Sequence, residues 1–231
     1  MSNSFITLKG VSRTYSGASG GFTALSDVDL SIAKGHFVAI VGQSGSGKST
    51  LLNLLSGIDR PTLGEIHVAG TAVHNLSEGM MSKWRGRAVG IVFQFFQLLP
   101  TLTAIENVML PMDFANRWRP RERRSRALVL LDKLGIAAQA AKLPHAMSGG
   151  EQQRVAVARA MANEPDVLLA DEPTGNLDSK SAQAMLELLA TLQREGQTIV
   201  MVTHDERAQK FASEVVTLTD GRITQPLHRV Q

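Results

Sequence analysis

The chain has 231 residues, 43% hydrophobic and 19% charged, with a formal net charge of +3. That is room for one large domain, or a domain with an inserted lobe, burying roughly 70–75% of its unfolded surface without staples. The absence of cysteine excludes a disulfide framework and any thiolate metal site, and the slight positive balance is too weak to argue for nucleic acid as a partner.

In chain order, Met1-Ser2-Asn3-Ser4 lacks a basic stretch followed by an apolar core, which argues against a secretory signal. Strands are expected at 5–11, 23–32 and 65–68, divided by glycine-rich turns. A short apolar strand at 38–41 runs straight into Gly42-Gln43-Ser44-Gly45-Ser46-Gly47-Lys48-Ser49-Thr50. Residues 49–56 then have amphipathic helix spacing, with Gly57 as a stop. Another apolar run follows at 89–93. From about 95 to about 162 the chain carries helical periodicity and little strand signal. Pro120 stands at a helix start, and Leu128, Leu131 and Leu134 follow at helical spacing before Gly135. Strands resume at 167–170, Thr198–Thr203 and 215–218, and Asp220-Gly221 is a turn. No stretch approaches the ~18 apolar residues that span a bilayer. Apolar strands alternating with helices imply an α/β fold with a mostly parallel sheet covered on both faces, and the helical middle reads as an inserted lobe.

The string 42–50 has the parts of a phosphate cradle: a strand, glycines that let backbone N–H groups curl about an anion, and a helix N-terminus. Lys48 would reach the β- and γ-phosphates of a nucleotide, and Ser49 would place its hydroxyl on Mg²⁺. A second anion surface is expected where Ser148-Gly149-Gly150-Glu151 opens a helix. One chain rarely needs two such surfaces for one nucleotide; two copies facing each other do. Val167-Leu168-Leu169-Ala170 forms a buried strand, and Asp171-Glu172 follows it at the end where parallel sheets bind ligands. Asp171 would hold the Mg²⁺ shell and Glu172 would act as general base on an attacking water. His204 follows a third apolar strand and reads either as a satisfied strand-end residue or as a γ-phosphate contact. Gln94, at another strand end, reads either as an ordinary polar residue or as a Mg²⁺ ligand that moves with a neighbouring segment.

Taken in this order and spacing, these residues resemble the ATP-binding cassette (ABC) ATPases, over almost the whole chain. The resemblance implies a P-loop NTPase fold with a mostly parallel sheet core, an antiparallel β subdomain and an inserted α-helical lobe. It places the core and β subdomain at about 1–94 and 163–231 and the lobe at about 95–162, within one domain, 1–231. By the same resemblance Tyr15 stacks on adenine, and Gly42, Ser44, Gly45, Ser46, Gly47, Lys48, Ser49 and Thr50 hold the phosphates. Gln94 matches the Q-loop, Ser148–Gln152 the signature motif, in which Ser148, Gly149 and Gly150 meet the nucleotide, and Asp171 and Glu172 the metal-binding acid and catalytic glutamate. Asn176-Leu177-Asp178 matches the D-loop, which brings Asp178 to the nucleotide, and His204 matches the switch histidine. Met147 departs from the commoner leucine, a volume-conserving change.

The implied activity is hydrolysis of ATP with Mg²⁺ by a homodimer, with ATP on Lys48 of one subunit covered by Ser148 and Gly150 of the other. The implied partner is a separate integral membrane permease, which leaves the subunit peripheral on the cytoplasmic face of a bacterial inner membrane, with no nucleic acid involved. Phe95, Phe96, Leu98 and Leu99, with Trp84 nearby, form the expected docking surface, unless they are simply the lobe's core. The run Arg117, Arg119, Arg121, Arg123, Arg124 and Arg126 reads as a solvated helix start, or as a contact with lipid headgroups or acids of the partner. Asp171-Glu172-Pro173-Thr174-Gly175-Asn176-Leu177-Asp178 is similar to one branch (MacB/LolD/FtsE-like) of macrolide and peptide export, lipoprotein release and division complexes. An exporter or extractor subunit is therefore expected. The alternative is a mechanotransmitting regulatory ATPase of a cell-division or envelope-stress complex. A soluble cassette acting on DNA or ribosomes is disfavoured, since such relatives carry a long coiled coil or two cassettes.

Overall fold

Alternating apolar positions build the first sheet. Strand β1 (Ser4–Gly17) pairs antiparallel with β2 (Gly20–Ala33) on one edge and with β4 (Leu63–Val68) on the other. The short β5 (Thr71–Ala72) completes the order β2-β1-β4-β5. Along β2, Val28, Leu30 and Ile32 are buried while Asp29 and Ser31 face out, the period of two that a sheet with one covered face requires. These residues belong to a computed structural model, which describes residues 4–17 and 20–229, with side chains to residue 224. Met1, Ser2 and Asn3, part of the reading of the chain start, lie outside the described residues.

The second sheet has the order β10-β9-β3-β8-β7-β6. It comprises β3 (Phe37–Val41), β6 (Val89–Val92), β7 (Val167–Asp171), β8 (Thr198–Thr203), β9 (Glu214–Thr219) and β10 (Arg222–Arg229). All neighbours are parallel except β9 and β10. The fold is α/β with a mixed core sheet and a separate antiparallel sheet, as expected. The Asp220-Gly221 turn joins β9 to β10 with φ of 47° and 74°, the paired left-handed residues of a tight hairpin.

Each central strand faces two cores. Phe37 and Ala39 of β3 pack under the helices, whereas Val38 and Ile40 pack with α1 (Lys48–Ser56) and the antiparallel sheet. Leu168 and Ala170 are likewise separated from Val167 and Leu169, and Ile199 and Met201 from Val200 and Val202. Register then aligns the C-terminal ends: Val41 pairs with Thr203, and Asp171 with Val202. The glycine loop, the acids and His204 therefore leave the sheet at one rim.

Helices α3 (Ala104–Ala115), α4 (Pro120–Lys133) and α5 (Gly149–Met161) fill the middle of the chain, and α6 (Ser179–Arg194) returns to the sheet. Residues 95–103 are not helical. They form a strap pinned by the buried Asn107, whose amide donates to the carbonyls of Leu99, Leu102 and Thr103 and accepts from the Leu99 N–H at 2.8 Å.

The helix expected from Pro120, with Leu128, Leu131 and Leu134 at its spacing, is α4. Its buried stripe, continued by the C-cap Leu134, is Arg123, Ala127, Leu131 and Leu134, while Leu128 is 39% exposed. A 3+3 spacing drifts off the face that 4+4+3 follows. Trp84 lies on α2 (Glu78–Ala88), a helix that the sequence does not mark, and packs against the core shared by the antiparallel sheet and α1. The arginines are not a uniformly solvated start. Arg123 donates to Asp113 Oδ1 at 2.5 Å, Asn116 Oδ1 at 2.9 Å and the Trp118 carbonyl at 3.0 Å. Arg117 and Arg126 flank the Trp118 ring and pair with Glu164. Arg123→Ala is expected to lower unfolding free energy by about 2 kcal/mol, the worth of charge-assisted bonds from a largely buried guanidinium, with ATP affinity unchanged. Urea unfolding alongside nucleotide titration checks it.

Candidate functional site: a phosphate cleft and a separate helix-capped turn

The loop after β3 is shaped by crowding. A Cβ on Gly42 would lie 2.2 Å from the Leu218 carbonyl oxygen, so no side chain fits. Gly47, at φ +102°, lies against β2, where a Cβ would come within 2.5 Å of the Ala24 carbonyl oxygen. The β9–β10 turn braces the loop, the Gly221 N–H donating to the Ser46 carbonyl at 3.0 Å. Lys48 opens α1 and is 7% exposed. Its Nζ donates to the carbonyls of Gly42 (2.9 Å) and Gln43 (2.8 Å), bridging the loop it follows. The Ser46 hydroxyl is buried with no partner among the described residues, and the first turn of α1 carries no acid. An unsatisfied hydroxyl, a lysine and free helix N–H groups suit an anion of several oxygens.

The cleft above this loop encloses about 260 Å³ and is lined by Ser44, Gly45, Gly47, Lys48, Ser49 and Thr50, with Glu172 at one side and Phe22 and Ala24 at the other. Asp171 ends β7, and the Ser49 hydroxyl donates to its Oδ1 at 3.4 Å. Burial, then the neighbouring Glu172, pushes the Asp171 carboxyl above its ordinary range, against the pull of Ser49 and Lys48. Glu172 sits at φ 44°, a left-handed conformation costly for a glutamate and typical of functional sites. Its N–H donates to the Val202 carbonyl at 2.9 Å, and its Oε2 lies 2.8 Å from His204 Nδ1. Glutamate, histidine, lysine and the metal-suited pair Ser49–Asp171 are thus brought to one rim.

Gln94 is not among them. Its amide lies over Gly175, where a Cβ would be 2.8 Å from Nε2, and its carbonyl accepts from Asn176 Nδ2 at 2.8 Å. No bond joins Gln94 to Ser49 or Asp171 among the described residues. Tyr15 is held from two sides: its hydroxyl donates to Asp59 Oδ2 at 2.7 Å, and the Arg13 guanidinium lies 4.4 Å from its ring centre. The aromatic side chain that lines the cleft is Phe22, 63% exposed and paired with Tyr15 across the hairpin. Phe22 carries no motif. Only its place opposite Tyr15 could have drawn attention to it.

Ser148 caps α5. Its hydroxyl accepts from the Glu151 N–H at 3.3 Å, while Glu151 Oε2 takes the Ser148 N–H at 2.7 Å and hydroxyl at 2.9 Å. Gly149 packs against Phe96 and Leu177, whose side chains each come within 3.7 Å of where its Cβ would lie, and Gly150 faces Ser181. Asp178 caps α6, accepting from the N–H groups of Lys180 and Ser181 (both 3.0 Å) and from the Ser181 hydroxyl at 2.6 Å. None of Ser148, Gly149, Gly150 and Asp178 lines the Lys48 cleft. One chain therefore presents a cradle and a capped turn on separate surfaces.

These caps are acid-sensitive. Bonds from Ser148 hold Glu151 below its ordinary range, and bonds from Ser181 do the same for Asp178. A depressed folded-state pKa contributes stability above the unfolded value, lost as pH falls through the folded one. Denaturant midpoints are expected to fall below pH ~4, and less steeply in Glu151→Gln.

Residues 25–175 match the ABC transporter family model. The chain is 45% identical over 223 residues to the macrolide export ATP-binding/permease protein MacB of Sodalis glossinidius, covering 96% of this chain but 34% of that protein. It is 48% identical over 202 residues to the lipoprotein-releasing system ATP-binding protein LolD 1 of Chlorobium chlorochromatii, covering 87% of this chain and 82% of that one. A solved dimeric structure of the ATP-binding cassette MJ0796 of Methanocaldococcus jannaschii, in a post-hydrolysis state bound to ADP and Pi, superposes with a TM-score of 0.89. The two are 41% identical, over 98% of this chain and 99% of that one.

Proposed function

The chain belongs to the ABC transporter family, and from that membership we propose that it is an ATPase that dimerises around two ATP and powers a membrane permease of the exporter or extractor type. The observation that carries this reading is the separation of the Lys48 cleft from the Ser148 turn. Each is half of a phosphate site, and a second copy supplies the missing half. The dimeric cassette with ADP and Pi supports the same arrangement. The macrolide-export and lipoprotein-release relatives favour export over a division or stress complex.

In the proposed cycle Lys48 exchanges its bonds to the Gly42 and Gln43 carbonyls for phosphate oxygens, and Ser46 gains its missing partner. Glu172, aligned by His204, takes a proton from the water that attacks the γ-phosphorus, and ADP and phosphate leave. Bound Mg²⁺ would neutralise the phosphate charge, and the hard oxygens of Ser49 and Asp171 fit it. Gln94 joins them only by leaving Gly175. Tyr15, backed by Arg13, serves as the adenine platform with Phe22 beside it, and Asp178 shapes the loop that meets the partner subunit's nucleotide.

The catalytic core and β subdomain are assigned to about 4–94 and 163–229, and the lobe to about 95–162. Exposed Phe95, Leu99 and Phe114 (71%, 44% and 81%) are assigned to the permease. A groove of about 730 Å³ lined by residues of α2 and α3 lies beside Phe114. Among the described residues no helix is long and apolar enough to cross a membrane. The ATP-binding subunits among its relatives support placing the chain peripherally, beside a permease at the cytoplasmic face of a bacterial inner membrane. Affinity capture with ATP from native membranes, read by mass spectrometry, is expected to recover a permease with a large extracytoplasmic domain. Recovery of only soluble or nucleic-acid partners overturns the transport reading.

A further inference from the structure

The strap between Gln94 and Leu98 is strained. Phe96 and Gln97 lie at φ 53° and 50°, two consecutive non-glycine residues in the left-handed region, where Cβ crowds the following carbonyl oxygen. Such a conformation persists only where its surroundings hold it. Backbone bonds from the Phe96 N–H to the Phe93 carbonyl and from the Gln97 N–H to the Phe95 carbonyl shape the turn, and the side chain that holds its carbonyls is Arg159, in the last turn of α5. Its Nη2 donates to the Phe96 carbonyl at 2.8 Å and its Nη1 to the Gln97 carbonyl. It has no carboxylate partner among the described residues, and burial pulls its guanidinium below the ordinary arginine range. A partly desolvated guanidinium that spends both arms on two adjacent carbonyls is a clamp, not a solvated charge.

The same strap touches the other end of α5. The Phe96 ring lies 3.7 Å from where a Cβ on Gly149 would be, so it borders the turn that Ser148 opens. At its start, Asn176 holds the Gln94 carbonyl at 2.8 Å. The strap therefore runs along α5, with its ring at the first residue of the helix and its carbonyls near the last.

We propose that Arg159 is a positioning residue for the composite ATP site: by holding the Phe96 and Gln97 carbonyls it keeps the Phe96 ring against Gly149 and fixes the Ser148 turn relative to Gln94. This rests on the reading that the Ser148 turn meets the ATP of a second copy. Among the described residues Arg159 has no hydrogen bond or ion pair to a residue lining the Lys48 cleft, so it acts on closure of the dimer and not on ATP capture by one subunit.

The test compares Arg159→Ala, Arg159→Lys, Gln97→Gly and Arg159→Ala/Gln97→Gly with the parent chain, by phosphate release against ATP concentration and by amide hydrogen exchange over 95–98. In Arg159→Ala exchange at 96–98 is expected to rise, and kcat to fall about tenfold with KM for ATP within about twofold. Arg159→Lys, which keeps one donor arm, falls between and covers the case in which the alanine variant does not fold. Gln97→Gly alone stays near the parent. Added to Arg159→Ala it recovers much of the lost kcat, because glycine takes positive φ without the clamp. A purely structural arginine would not be rescued in this way. Unchanged exchange and kcat in both Arg159 variants overturn the proposal, as does a kcat loss that follows melting temperature and ignores Gln97→Gly. A parent chain that releases no phosphate sinks the ATPase reading instead, and exchange at 96–98 still decides the clamp.

Discussion

Glu172→Gln is expected to bind ATP normally, to lose hydrolysis by at least about a hundredfold, and to run as a dimer at saturating ATP. The amide matches the carboxylate in size and can keep the 2.8 Å contact with His204. What it loses is the ability to accept a proton from water. Every group assigned to the phosphates is retained, so the nucleotide still joins two copies while the step that would release them is blocked. Phosphate release and light scattering coupled to size exclusion check both halves. A monomeric Glu172→Gln protein at saturating ATP and micromolar concentration contradicts the mechanism.

Ser148→Arg is expected to share the spared ATP binding and the lost hydrolysis but to differ in assembly: it stays a single subunit at saturating ATP. Ser148 is exposed and no part of it lines the Lys48 cleft, so capture of nucleotide does not depend on it. The substitution removes an N-cap worth about 1 kcal/mol and sets a guanidinium on the positive end of α5, where it blocks the approach of a second copy. Mixing this variant with Lys48→Ala gives a sharper reading. Their heterodimer has one site with both halves intact, and it should recover part of the turnover that neither variant shows alone. Normal turnover in Ser148→Arg alone would mean that the turn is not a ligand in trans.

The strands that carry the site were legible because they are buried on both faces. Thr198–Thr203 is an unbroken apolar run and has the same bounds in the fold, and the short apolar strand entering the glycine loop differs by one residue. Strand β10 was not legible, because Pro226 removes a ladder donor and argues against a strand. An edge position tolerates it. Helix α2 buries only Met81 and Ala88 and carries Gly79 and Gly86, so neither periodicity nor propensity marks it. Its anchor is tertiary, Met81 lying where a side chain on Gly57 would be. The motif residues of the site were all readable as chemical types. Their present partners were not: Gly175 is distant in sequence from Gln94, while Arg13, two residues before Tyr15, and Phe22 at the cleft belong to no motif. The strap at 95–103 looked helical because Phe95, Phe96, Leu98 and Leu99 are apolar. Asn107 and Arg159 supply the bonds that make an irregular path cheaper than a helix.

Apart from the Ser46 hydroxyl and the N–H groups that open α1, the side-chain donors of both halves of the proposed phosphate site already have acceptors. Lys48 gives two of its three donors to carbonyls of its own loop, and the Ser148 hydroxyl and N–H are both engaged by Glu151. For these donors an arriving phosphate swaps one acceptor for another, and only the difference between the two sets of bonds, a fraction of their gross strength, favours closure. A clasp built wholly from unsatisfied donors would close once and stay shut. One whose donors have an acceptable home in either state can open again when the phosphate departs, which is what a machine that repeats its stroke requires.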